Sequence, residues 1–310
     1  MMNTSTVTEF ILLGFPALIS VQVALFCVFF IFYISTLLGN ALILVTTTFS
    51  AELHTPMYFF LGNLSLLEIF YTSVTIPKML FNFLLKTSSI SFMACAAQVY
   101  FFIALGSIEC TLLAVMAYDR YVAVCHPLHY VMIMDRRKCV TLTGCSWFSG
   151  FVNSMIHTSC TFHLTFCSSN RINQFFCDIP PLLKVACGQT MHAEIVLFIV
   201  GGAYGYGSFL LTLISYIHII STILKIRSKE GQRKAFSTCT SHLIVVTLFF
   251  GTSFSAYLKP TSKFSSEEEK LVPVFYAVIT PTLNPIIYTL RNKDFKSALR
   301  KMKGLGYAKF

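Results

Sequence analysis

The chain has 310 residues, 55% of them hydrophobic and only 12% charged, with a mean hydropathy of +0.70. A soluble globule of that length could not hide so much apolar surface, so the composition excludes a water-soluble fold and points to a bilayer. The formal charge of +10 is no nucleic-acid signal, because the basic residues collect on one side of the apolar runs, as a rim facing anionic lipid does.

Windows of about 20 apolar residues, the length that crosses hydrocarbon, fall near 22–48, 57–85, 93–122, 139–161, 193–223, 236–258 and 271–290. The expectation is an all-α membrane protein, a seven-transmembrane helix bundle with a short amphipathic cytoplasmic helix after the seventh span. Connections are short and no repeat is visible, so one domain covers 1–310: an extracellular tail over 1–21, the bundle over 22–290 and a cytoplasmic tail over 291–310. Of the 23 Lys and Arg residues, sixteen fall inside when the amino terminus is outside, six fall in the outer loops and Lys78 lies in the second run. That asymmetry sets the orientation. No cleavable signal peptide is expected, since the first 21 residues lack Lys and Arg and the following run is long enough to span.

The amino-terminal tail carries Asn3-Thr4-Ser5, an N-glycosylation acceptor if outside. The same pattern at Asn63-Leu64-Ser65 lies within the second helix, where no glycan can be attached. Glu68 and Glu109 are the acidic residues well inside helical runs. A buried carboxylate must be protonated, paired or bound to a cation, because bare charge in low dielectric is too costly. With Asn284 and hydroxyls such as Ser65, these two could share a proton or hold a sodium ion through hard oxygen ligands; two neutral, hydrogen-bonded acids are the plain alternative.

On the third helix, Phe102, Ile103, Gly106, Ser107 and Cys110 share one stripe, since three- and four-residue steps return to the same face. Near its end, Asp119-Arg120-Tyr121 stands where the chain leaves hydrocarbon. Adjacent carboxylate and guanidinium can hold each other until a partner takes the arginine, which is the chemistry of a latch; the bland reading is an interfacial anchor. Four of the eleven cysteines, Cys95, Cys167, Cys177 and Cys187, lie at or beyond outer helix ends, where the compartment is oxidising, and three pairings are open to them.

The fifth helix supplies a Gly201–Gly207 run containing Gly202 and Tyr204, small residues and hydroxyls that can pack or leave room for a guest. The sixth offers Phe250, Ser253, Phe254 and Tyr257, and the seventh Thr280. Ordinary helix packing explains any one of these; as a set they outline a cavity. No Asp or Glu is assigned to the outer half of the third or fifth helix, so a cationic amine lacks a counter-ion and a small, largely apolar, neutral ligand fits better. Helix seven has no lysine between Leu271 and Tyr288, so a retinal Schiff base has no anchor. Past it, Phe295, Leu299 and Met302 recur among Lys293, Lys296, Arg300 and Lys301, as on an amphipathic surface helix.

Taken together and in order, several segments carry a family resemblance: Gly39-Asn40, Pro56–Leu61, Met116–Cys125, Trp147, Ser215-Tyr216, Lys234–Leu243 and Pro281–Tyr288. The chain resembles a rhodopsin-like (class A) G-protein-coupled receptor, and within that group an odorant receptor of the class II tetrapod type. The resemblance implies disulfides Cys95–Cys177 and Cys167–Cys187, and a switch formed by Asp119, Arg120, Tyr121, Tyr216, Asn284, Pro285 and Tyr288. It also implies a volatile odorant as ligand, a stimulatory olfactory-type heterotrimeric G protein raising cAMP as partner, and a place in the plasma membrane. Val124, Glu68 and Phe250 depart from the usual Ile, Asp and Tyr; the last removes a hydroxyl that, in the family, would help couple the ligand to helix six. No enzyme is expected, because neither HExxH nor GxSxG occurs, and His126 and His129 sit in a loop. A transporter or channel for small solutes is the competing class; it would usually show several intramembrane charges or broken-helix repeats.

Overall fold

A computed structural model describes residues 7–14, 19–84, 88–167, 170–257 and 273–307. Seven long helices form the bundle: α1 (Ile19–Phe49), α2 (Pro56–Leu84), α3 (Phe92–Cys125), α4 (Arg136–Phe162), α5 (Met191–Lys225), α6 (Lys229–Tyr257) and α7 (Thr280–Arg291); α8 (Lys293–Tyr307) comes after them. Five of them, α1, α2, α3, α5 and α6, are long and apolar enough among the described residues to cross a membrane. α4 begins on Arg136, Arg137 and Lys138 and carries many hydroxyls, and α7 is described only from residue 273, which accounts for their weaker signal. Several helices outrun their apolar windows. α6, for example, starts at Lys229 and not 236, because once nucleated the backbone ladder continues through polar residues beyond hydrocarbon.

Local chemistry sets the ends. Ser91 accepts from Ala94 N at 3.3 Å to cap α3, Asp135 accepts from Lys138 N at 2.7 Å to cap α4, and Asn292 Oδ1 accepts from Asp294 N and Phe295 N to start α8. Wide π turns interrupt α5 at Leu197–Gly201 and precede α7 at Phe275–Ile279.

α3 is the central post, packed mainly on α4 and α5 and also on α2. α1 lies outside: it buries only the stripe Phe29, Thr36, Asn40, Ile43 and Thr46, while Ile31, Leu38 and Val45 are exposed. An apolar outer face on a stripe-buried helix is lipid-facing surface. Two glycines allow the closest approaches. A Cβ on Gly150 would collide with Ile108 and lie 2.9 Å from Ala104 O, so α4 crosses α3 there backbone to backbone. A Cβ on Gly39 would lie 2.8 Å from Pro285 Cβ, which joins two of the motif positions, one on α1 and one on α7.

The end beyond Cys95 is covered by structure that hydropathy alone does not foresee. β1 (Glu9–Leu12) pairs antiparallel with β2 (Ser89–Ser91) and parallel with β4 (Arg171–Ile172), while β3 (Thr165–Phe166) pairs with β5 (Ala186–Cys187). Phe10, Leu12, Ile90, Val99, Phe166, Ile172, Ile179 and Leu182 fill the space beneath. Both expected disulfides are formed, Cys95–Cys177 and Cys167–Cys187. Gln98 ties the lid to the bundle, accepting from Cys177 N at 2.9 Å and donating to Val74 O at 2.8 Å. From the π turn before α7, Tyr276 donates to Asp178 at 3.0 Å. Asn3 and its glycosylation pattern lie outside the described residues.

Candidate functional site: a lidded cavity and an enclosed arginine

Beneath the disulfide lid lies a cavity of about 670 Å³, within the range of small-molecule sites. Of the residues expected to line it, Phe102, Ile103, Gly106, Ser107 and Cys110 of α3, Gly202 and Tyr204 of α5, and Ser253 and Phe254 of α6 do so. Two do not. Phe250 is 2% exposed and packs edge-on to Phe209 and Phe249, with ring centres 5.4 and 5.2 Å away, so it belongs to the floor between α5 and α6. Thr280 is buried and donates to Phe275 O at 3.1 Å, turned back on its own helix where the π turn ends. The side chain of Tyr257 lies outside the described residues.

Other lining groups went unforeseen, among them Asn153 and His157 of α4 and Tyr276, while Gly201 belongs to the glycine run expected on the fifth helix. The usable signal for the first two was a pair of polar side chains four apart within a membrane helix, which must face protein or cavity and not lipid. The absence of acidic residues from the outer half of the fifth helix also needs correction. Glu194 stands in the first turn of α5 and touches the cavity; it is exposed and accepts from Thr190 Oγ1 at 2.6 Å, so its charge sits at the mouth in solvent and not at depth.

Midway along the bundle Asn284 donates to Glu68, Asn40 Nδ2 donates to Thr36 O at 3.1 Å, and the hydroxyls of Thr36 and Thr282 meet at 2.7 Å. Glu109, on α3, is buried as well. Among the described residues, Glu68 Oε2, Glu109 Oε1, Asn40 Oδ1, Asn284 Oδ1 and the Tyr288 hydroxyl are buried without a hydrogen-bond partner. Bare hard oxygens on α1, α2, α3 and α7 fit a small oxygen-seeking cation. No cluster of three His, Cys, Asp or Glu occurs among the described residues, so only carboxylates together with amides could supply such a site.

At the opposite end Arg120 is 6% exposed, and its Nη2 lies 3.8 Å from Asp119 with no hydrogen-bond partner. The shorter contact of Asp119 is with Tyr130, whose hydroxyl donates to it at 2.8 Å. The latch therefore has a third member, on the loop, that no motif in the sequence marks. Burial and the adjacent Asp119 charge push the Tyr130 phenol above its ordinary value, so it remains a donor. Tyr121 bonds His126 at 3.1 Å, so that histidine is not simply solvated. Tyr216 meets His242 Nδ1 at 2.7 Å and donates to Cys239 O at 3.3 Å, which closes α5 onto α6 beside Arg120. Pro285 lies inside α7 one residue after Asn284, and Tyr288 is buried a turn further on. On α8, Phe295 and Ala298 are buried while Lys301 pairs with Glu52 at the surface.

Residues 26–304 match the family model described as "Olfactory receptor". The chain is 49% identical to olfactory receptor 1G1 of the gorilla over 97% of its own length and 96% of that protein's. It is 49% identical to human olfactory receptor 11L1 (97% and 93% covered) and 47% identical to mouse olfactory receptor 5AR1 (97% of each). Among solved structures squid rhodopsin superposes with a TM-score of 0.73 at 16% identity, covering 95% of this chain and 91% of that one, a likeness of fold. Two ends joined by a shared helical post, one hollow under a disulfide lid and one enclosing an arginine, are thus set in a sequence matched along nearly its whole length, and the chain belongs to the olfactory receptor family, multi-pass membrane receptors of the G-protein-coupled class rather than enzymes.

Proposed function

We propose that this receptor binds a small, largely apolar, neutral volatile ligand in the cavity beneath the disulfide lid and activates a stimulatory, olfactory-type G protein, raising cAMP. It acts from the plasma membrane with its amino terminus outside, as one domain glycosylated at Asn3. The observation that carries the ligand reading is the cavity of about 670 Å³ bounded by Phe102, Gly106, Tyr204 and Phe254, whose acidic residue, Glu194, is confined to the solvent-exposed mouth. An amine at depth would have no counter-ion, whereas an uncharged hydrocarbon-rich molecule leaves no charge stranded. Ligand contact with α3 and α6 favours an arrangement in which α6 leaves Tyr216 and Arg120 becomes available to a G-protein helix.

The bare oxygens around Glu68, Glu109 and Asn284 support a second element of the proposal, a sodium ion that stabilises the closed receptor. Purified receptor should then melt higher in sodium than in a large organic cation, and equal melting would remove the ion from the account.

The test of the main reading is cAMP in cells that carry the olfactory stimulatory G protein, screened with a chemically broad volatile panel. Wild type should respond to some member, and Arg120→Ala should lose the response while reaching the surface normally. Signalling intact in Arg120→Ala would break the link to the arginine; solute flux without G protein would favour a transporter.

A further inference from the structure

The cavity has a polar corner on α4. Asn153 and His157 are four residues apart, so their side chains rise from one face, and both line the cavity. They are 3% and 2% exposed, and Asn153 Oδ1 and His157 Nε2 lack a hydrogen-bond partner among the described residues. Buried polar atoms left bare are costly, and a guest that supplies their partners removes the cost.

The bonding chain decides which atom is free. Ser107 Oγ donates its one proton to Ile103 O at 2.7 Å, so towards Asn153 it can only accept. The amide atom that faces it at 2.8 Å is therefore Nδ2, which leaves Asn153 Oδ1 as the bare acceptor. Tyr204 is equally committed, donating to Ser149 O at 2.8 Å. Two hydroxyls that looked available in the sequence are spent on holding α3, α4 and α5 together, and on the α4 side of the cavity the groups left over are an amide oxygen and a ring nitrogen. Gly201, at the end of the π turn in α5, faces this ring: a methyl built there would be in van der Waals contact, 3.5 Å, with His157 Nε2 and Cε1.

We infer that Asn153 and His157 form a hydroxyl-recognising subsite and that the preferred ligand is a neutral alcohol. Its hydroxyl donates to Asn153 Oδ1 and, with His157 assigned the tautomer protonated at Nε2, accepts from that N–H, while its hydrocarbon part lies against Phe102 and Phe254. An aldehyde, ketone, ester or ether of the same skeleton only accepts, so it leaves the Asn153 oxygen buried and bare and binds more weakly. The inference rests on the cavity being the ligand site, as proposed above.

The test uses purified full-length receptor and reads binding as thermal stabilisation, which needs no G protein. The probes are hexanol, octanol and citronellol, each beside its aldehyde and methyl ether. At least one alcohol should bind about tenfold more tightly than its two analogues. His157→Phe should abolish that preference and His157→Gln, which keeps a donor, should retain most of it. Gly201→Ala sets a methyl in contact with the nitrogen without removing the ring, and should also abolish the preference, which keeps the test decisive if His157→Phe fails to fold. Ethers and aldehydes binding as tightly as alcohols would overturn the inference, as would a preference that survives Gly201→Ala and the folded His157→Phe protein, while binding of carbonyl probes would leave the cavity reading intact. If no probe of any class binds folded wild type, the inference and the cavity reading fall together.

Discussion

At the end that carries the disulfides, two covalent bridges and a three-stranded sheet fix the rim around an open cavity; at the other end, Arg120 is enclosed by side chains alone, held by contacts such as Tyr130–Asp119 and Tyr216–His242. Covalent links hold a shape that a guest must fit. Hydrogen bonds worth about 1 kcal/mol each can be exchanged for those of a partner. The difference teaches which end is built to stay and which to change. Substitutions should therefore act unequally: losses at the lid should cost folding, and losses around Arg120 should shift basal activity.

The largest effect should come from Cys177→Ser. Its bridge to Cys95 spans a sequence separation of 82, for which the chain-entropy account gives about 4.5 kcal/mol. Cys177 is also the residue whose backbone N–H the Gln98 side chain accepts. Surface immunostaining and ligand response should both collapse. Cys145→Ser, at an exposed free thiol on α4, should change neither. A Cys177→Ser receptor that reaches the surface in normal amounts would show that packing of the lid, rather than its covalent closure, maintains the cavity.

Tyr130→Phe probes the opposite end and should matter less to folding and more to signalling. It removes the 2.8 Å bond to Asp119 and leaves that carboxylate with the Arg120 contact at 3.8 Å. A hydrogen bond to a charged group contributes about 1.5–3 kcal/mol. Part of that loss should fall on the closed arrangement alone, so ligand-free cAMP, normalised to surface receptor, should rise several-fold. An unchanged basal level would mean that the bond is equally present when the receptor is active, and that the two ends differ less than proposed.

Legibility in the sequence divides along the same line. Helix number, orientation of the motifs and the position of Arg120 came from hydropathy and from residues at membrane boundaries, where the cost of charge leaves few choices. Cysteine positions alone left three pairings open, and the family resemblance selected the two that are formed. Side-chain direction within the bundle was less legible. A soluble helix announces its buried face by its polar one, but α3 and α5 are apolar on all sides, so periodicity could not say which stripe meets a cavity. The π turns in α5 and before α7 worsen this, since one extra residue rotates the rest of the helix by about 100°. Thr280, directly after such a turn, was misassigned for that reason. Phe250 lies between Phe249 and Phe254, which both reach the cavity, yet its own ring is turned against Phe209 and Phe249, so direction around the helix, not depth along it, removes it from the wall. Asn153 and His157 were visible as polar residues in a span, but nothing in the sequence shows that Ser107 is already satisfied.

The smallest expected effect sharpens the comparison from a third place, the joint between α8 and the short turn Ala51–Leu53 after α1. Phe295 and Ala298 are buried there, whereas the Lys301–Glu52 pair is exposed, at 61% and 56%. Exposed ion pairs are screened and contribute about 0–1 kcal/mol, while removing a buried phenylalanine side chain costs about 3–5 kcal/mol. Lys301→Ala should thus leave melting temperature and cAMP response within error of wild type, and Phe295→Ala should loosen α8 and lower surface expression. If Lys301→Ala matched Phe295→Ala, charge rather than packing would fasten α8, and the Arg120 end would depend on ionic strength in a way its enclosed side chains do not suggest.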